Sequence, residues 1–162
     1  MGVKRVKPVV KDQRETDPGA QAKAEPQEGG FRSVVARAAG DHFAVQVKAG
    51  KFSWVLDEPA SIGGHETGPD PVTSFLGALC SCLIISLQVT ARARQVTIGP
   101  VTARAVANEK GFVKEVTIDL TVHSSAPEEK VRTVVERAEK GCYIKGLLKE
   151  SIHYQLNLSI LP

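Results

Sequence analysis

The segment at residues 71–94 constrains this chain most. Pro71 stands directly before a run that holds neither a further proline nor a polar cluster. Proline suits the first turn of a helix, where its missing N–H would have no partner anyway, so the pattern predicts a helix of about 24 residues, roughly 36 Å long. On that helix Leu76, Leu79, Leu83 and Leu87 form a narrow apolar stripe. Cys80 falls within the stripe and reads as a small core residue, whereas Cys82 falls on the flank with Phe75, Ser86 and Val89. Two positions on a helix turn through about 200°, so these cysteines cannot grip one metal ion from a single face, and no metal or cofactor is expected.

The segments around this helix read as strands. In residues 43–56, Phe43, Val45 and Val47, then Phe52, Trp54 and Leu56, alternate with their neighbours across Ala49-Gly50, which predicts a hairpin with one buried face. Residues 57–71 carry three prolines and three glycines, a loop long enough to be functional, although its glycines lack the spacing of a phosphate-binding fingerprint. Strands are predicted at 96–107 and 112–123, joined by a turn at 108–111. Ser125 and Glu128 have capping-box spacing ahead of a helix that runs to Gly141. A second, short helix is expected at 143–150, opened by Cys142, and then a strand carrying Ile152, Tyr154, Leu156, Leu158 and Ile160 on one face. A cysteine close to helical amides favours the thiolate. The whole predicts an α+β domain over residues 31–162, with a mostly antiparallel sheet packed on a long central helix.

Residues 1–30 differ, with six basic and five acidic side chains, three prolines and no aromatic residue. They cannot build a core and are expected to form an arm, with residues 3–10 a candidate edge strand or partner contact. The net charge of +3 over 162 residues is too small to argue for nucleic acid. Three cysteines cannot form a fully paired disulfide framework, and the first residues lack the apolar block of a signal peptide. A cytoplasmic protein with reduced thiols and no membrane partner is expected. Among the histidines, His65 lies six residues before Pro71 and is placed to approach Cys82, while His42, His123 and His153 read as surface residues. Lys145 sits close enough after Cys142 to support its thiolate.

Several motifs then carry a family resemblance over residues 45–158. They are Asp57-Glu58-Pro59, Gly63-Gly64, Gly68-Pro69-Asp70-Pro71, Phe75-Leu76-Gly77-Ala78-Leu79-Cys80-Ser81-Cys82, Ala138-Glu139-Lys140-Gly141-Cys142-Tyr143-Ile144-Lys145 and Tyr154-Gln155-Leu156. The chain resembles the OsmC/Ohr family of cysteine-based peroxide-reducing proteins, in which a proline leads the long helix and the first cysteine follows eleven positions later, as Pro71 and Cys82 do. The resemblance implies an intertwined homodimer with each active site at the subunit boundary. It implies Cys82 as the peroxidatic thiol and Cys142 as the resolving thiol, cycling through sulfenic acid and disulfide, with an organic hydroperoxide as substrate and an external dithiol as reductant. Two positions depart from the family pattern. Val72 and Thr73 stand where a glutamate is expected, and no arginine occurs between residues 38 and 90. Arg32 or Arg37 would have to stabilise the thiolate, or Lys48 or Lys51 less effectively. These departures motivate the alternative of a non-catalytic member that binds a small apolar ligand at the dimer interface.

Overall fold

The computed structural model describes residues 32–38, 40, 42–110 and 112–162, with the side chains of 109 and 110 excepted. The expected arm at 1–30 and its edge strand at 3–10 lie outside these residues. Three short strands, β1 (Val35–Ala38), β2 (Val45–Ala49) and β3 (Phe52–Leu56), come first and pair antiparallel in sequence order. The long helix α1 (Pro71–Ala93) follows, then β4 (Val101–Lys110), β5 (Phe112–His123), helix α2 (Glu128–Lys140) and β6 (His153–Leu161). The second sheet has the order β4-β5-β6, with β4 antiparallel and β6 parallel to the central β5. The α+β class therefore holds, with two three-stranded sheets that are antiparallel except for the β5–β6 pair. That parallel pair requires a crossover, which α2 supplies.

Periodicity explains the core. In α1, Leu79, Leu83, Leu87 and Ala91 recur every four residues and are buried. Val116, Ile118, Leu120 and Val122 alternate along β5, and Val131, Val134, Val135 and Ala138 follow helical spacing in α2. These three stripes meet in one cluster that also contains Cys142. No residue of β1, β2 or β3 belongs to that cluster or packs against it. The predicted hairpin forms, with Val47 opposite Trp54 and Ala49 opposite Phe52, and its expected face is buried only in part: Val47 is buried and Val45 and Leu56 are half-buried, whereas the aromatic residues are exposed. Phe52 is 65% exposed and Trp54 44% exposed, because nothing described lies over them.

Three predicted boundaries shift for local reasons. The strand expected at 96–107 starts at Val101, since Pro100 has no amide to enter the ladder and Gln95 turns the chain with φ of 55°. The capping box at Ser125 does not form. Pro127 takes the N-cap position, and the Ser124 hydroxyl donates to the Thr97 carbonyl and accepts from the Ala126 amide. The helix expected at 143–150 reduces to a single 3₁₀ turn, Lys145–Leu147, and the chain becomes extended at Leu148, with ψ of 135°.

Candidate active site

The loop at 57–71 delivers the chain to α1 in a fixed geometry. Asp57 is buried, and its carboxylate accepts from the amides of Glu58 (2.8 Å), His65 (3.1 Å) and Thr67 (3.1 Å) and from the Thr67 hydroxyl (2.8 Å). A Cβ at Gly64 would run into the Glu58 carbonyl, and one at Gly68 into that of Val55, so glycine is required where the loop folds back on itself. Asp70 then caps α1 by accepting from the Thr73 amide at 2.9 Å, with Pro71 as the first helical residue. The start of the helix is thus set from both sides, and with it the height of each α1 cysteine.

Cys82 and Cys142 meet. Both are free thiols, near enough to each other for each to shift the other's ionisation. Burial pushes the Cys82 thiol up, but hydrogen bonds from the Ile144 amide, the Cys142 thiol, the Tyr143 amide and the Ser86 hydroxyl outweigh it, so its ionisation is displaced downward. Burial also raises Cys142, and the Lys145 and Ile144 amides only partly offset it. The neighbouring Cys82 sulfur adds to the rise. The two thiols are thus displaced in opposite directions, Cys82 downward and Cys142 upward, contrary to the expectation that helical amides would lower Cys142. The chain after Cys142 makes one turn, with the Gly146 amide donating to the Cys142 carbonyl at 3.1 Å, and leaves helical geometry at Leu148.

The other sequence candidates fall elsewhere. Both α1 cysteines are half-buried; Cys82 packs against the core cluster and Cys80, expected within the core, does not join it. Burial raises the Cys80 thiol, opposed by the Ala105 amide of β4. The His65 ring packs edge-on against His42, with centroids 4.1 Å apart, rather than turning to Cys82. Lys145 is not a solvated lysine: its ammonium is 2.5 Å from the Glu139 carboxylate and 4.7 Å from the centroid of the Tyr154 ring. Arg32 precedes β1 and Arg37 lies on it, both exposed, in the sheet that does not join the core bearing the two cysteines. Lys48 and Lys51 stand in the same sheet, on β2 and at the β2–β3 turn. Sequence reasoning missed Ser86, whose i+4 spacing from Cys82 was a usable signal, and the contacts of Lys145 with Glu139 and Tyr154, which sequence motifs do not reveal.

Comparison with known proteins agrees with this fold. The family model for OsmC-like protein matches residues 63–157. A hydroperoxide reductase from Mycoplasma genitalium is 23% identical over 131 residues, which is 74% of this chain and 89% of that protein. An OsmC-like protein from Mycoplasma pneumoniae superposes with a TM-score of 0.72 at 18% identity, covering 82% of this chain and 98% of its own. A putative organic hydroperoxide resistance protein from Vibrio cholerae, solved with captopril bound in one of its active sites, gives a TM-score of 0.60 at 22% identity over 82% of this chain and 95% of its own. With more than half its length matched by the family model and its fold shared with these structures, the chain belongs to the OsmC-like protein family.

Proposed function

We propose that this chain is a thiol-dependent peroxidase acting on organic hydroperoxides, with Cys82 as the attacking sulfur and Cys142 as the resolving one. The observation that carries this reading is a pair of adjacent thiols whose surroundings push their ionisation in opposite directions. The Cys82 thiolate attacks the terminal peroxide oxygen. An S–O bond forms, the O–O bond breaks, and the alkoxide takes a proton to leave as alcohol, which leaves Cys82 as a sulfenic acid. The Cys142 sulfur then displaces hydroxide, which departs as water with the thiol proton, and an S–S bond joins the two residues. An external dithiol reduces that bond by exchange. Such a cycle fits a reducing compartment such as the cytoplasm.

The missing acidic residue after Pro71 and the absent nearby arginine are met, in this reading, by the Tyr143 and Ile144 amides and the Ser86 hydroxyl. An apolar substrate suits the surroundings. A cavity of about 730 Å³, lined by neither cysteine, opens between Pro71, Phe75 and Leu76 of α1, Val113 of β5, and Leu147 and Leu148 beyond the Cys142 turn. A homodimer fits as well, since Ile85 and Val89 of α1 and the Phe52 and Trp54 face of the first sheet are exposed in the single chain. Docking that sheet on a second copy is also the route by which Arg32 or Arg37 would reach a site. The test is consumption of cumene hydroperoxide with dihydrolipoamide as reductant. The parent chain turns over, Cys82→Ser does not, and Cys142→Ser forms a sulfenic acid that persists. Equal rates for the parent and Cys82→Ser would overturn the reading in favour of ligand binding alone.

A further inference from the structure

The turn that carries Cys142 is fastened at both ends to one residue. The Cys142 amide donates to the Glu139 carbonyl at 3.3 Å, and the Cys142 carbonyl accepts from the Gly146 amide at 3.1 Å. From that far side the Lys145 ammonium reaches back to the Glu139 carboxylate at 2.5 Å, so the backbone and the side chain of Glu139 bracket Cys142. The ammonium also lies 4.7 Å from the centroid of the Tyr154 ring, and Tyr154 stands opposite Val116 in the β5–β6 pair. The turn is thereby tied to α2 on one side and to β6 on the other. Little else holds it. Gly141, Tyr143, Gly146 and Leu147 are exposed, and of residues 141–148 only Cys142, Ile144 and Leu148 reach the core cluster. The side chains of Lys145 and Glu139 are 30% and 24% exposed, enough burial for the two charges to cost desolvation that their attraction largely cancels. A methionine at 145 would cover the Tyr154 ring without that cost. What the charges add is a single preferred conformation of the segment between them.

We propose that the Lys145–Glu139 ion pair is the clamp that holds Cys142 where it can close on Cys82, and that it sets how fast and how completely the two sulfurs join. This inference rests on the two-thiol reading above. In the resolving step the Cys142 thiol gives up its proton, the S–S bond forms, the S–O bond of the Cys82 sulfenic acid breaks and water leaves. Lys145 and Glu139 form no bond and exchange no proton in that step. They act through Cys142 and are positioning residues. Their contribution is the share of time that Cys142 spends within reach of Cys82, an effective concentration that enters the rate of disulfide formation and its equilibrium alike.

The test compares the parent full chain with Lys145→Met, Glu139→Gln and Lys145→Arg. Stoichiometric cumene hydroperoxide is added, and dimedone after varied delays traps the sulfenic acid that remains. The sulfenic acid of Cys82 lives roughly ten- to a hundredfold longer in Lys145→Met and Glu139→Gln than in the parent, and returns close to the parent value in Lys145→Arg, which keeps the charge. The double variant is no slower than either single one, because both substitutions remove the same pair. A second measurement needs no peroxide. In mixtures of reduced and oxidised dithiothreitol, with the Cys82–Cys142 disulfide read by mass spectrometry, the equilibrium of Lys145→Met and Glu139→Gln moves toward the free thiols by a similar factor. A pair that served stability alone would lower the melting temperature and leave both readouts at the parent values. That result overturns the inference and leaves the thiol cycle standing. A parent chain that forms no Cys82–Cys142 disulfide in either measurement overturns the two-thiol reading, and this inference with it.

Discussion

Asp57 and Cys82 show how a single side chain is set by what surrounds it. The Asp57 carboxyl is pulled down to about 2, chiefly by the Thr67 hydroxyl, with burial opposing and the Thr67, Glu58 and His65 amides assisting. A carboxyl lowered by folding stabilises the native state fully above its ordinary value of 3.8, and that contribution is lost as pH falls toward 2. Thermal melts between those limits should show the parent losing stability steeply, whereas Asp57→Asn, less stable near neutrality, should show a shallower dependence. Cys82 follows the same logic, since hydrogen bonds displace its ionisation downward, and in the proposed cycle its anion is the reactive species. Its residue type was visible in the sequence, but the amides of Tyr143 and Ile144 were not, since side-chain identity says nothing about where a backbone N–H will point.

At the level of elements, spacing decides which face is buried. The α1 stripe of Leu79, Leu83, Leu87 and Ala91 meets the alternating valine, isoleucine and leucine face of β5 and the helical stripe of α2. Leu83 is 1% exposed, so Leu83→Ala should lower the unfolding free energy by about 2–5 kcal/mol, read from the urea midpoint. These faces were legible from periodicity alone. Element ends were not, because they depend on local backbone geometry: Pro127 displaced the Ser125 cap, and the turn after Cys142 becomes extended at Leu148.

For the whole molecule, the decisive feature is what the core leaves uncovered. The helix α1 reaches a mean hydropathy of 2.0 over an 18-residue window, long and apolar enough by composition to cross a membrane. One of its faces is in the core, and Ile85 and Val89, 59% and 61% exposed, look outward. Phe52 and Trp54 expose a second apolar surface on a sheet that stands apart from the core. Association of two copies would cover both. Sedimentation should therefore show a dimer whose melting temperature rises with protein concentration, and a double Phe52→Glu, Trp54→Glu variant should sediment as a monomer.

The sequence by itself determined the element order, the inward faces of α1, β5 and α2, and the family, because each of these is written in local spacing or in contiguous motifs. Only the tertiary structure decided that Cys82, rather than Cys80, lies against the core beside Cys142. It likewise decided that Lys145 binds Glu139 above the Tyr154 ring, and that the first sheet stays outside the core. Those outcomes depend on how elements far apart in the chain dock, and the energies that choose between such arrangements come from contacts that no stretch of sequence contains on its own.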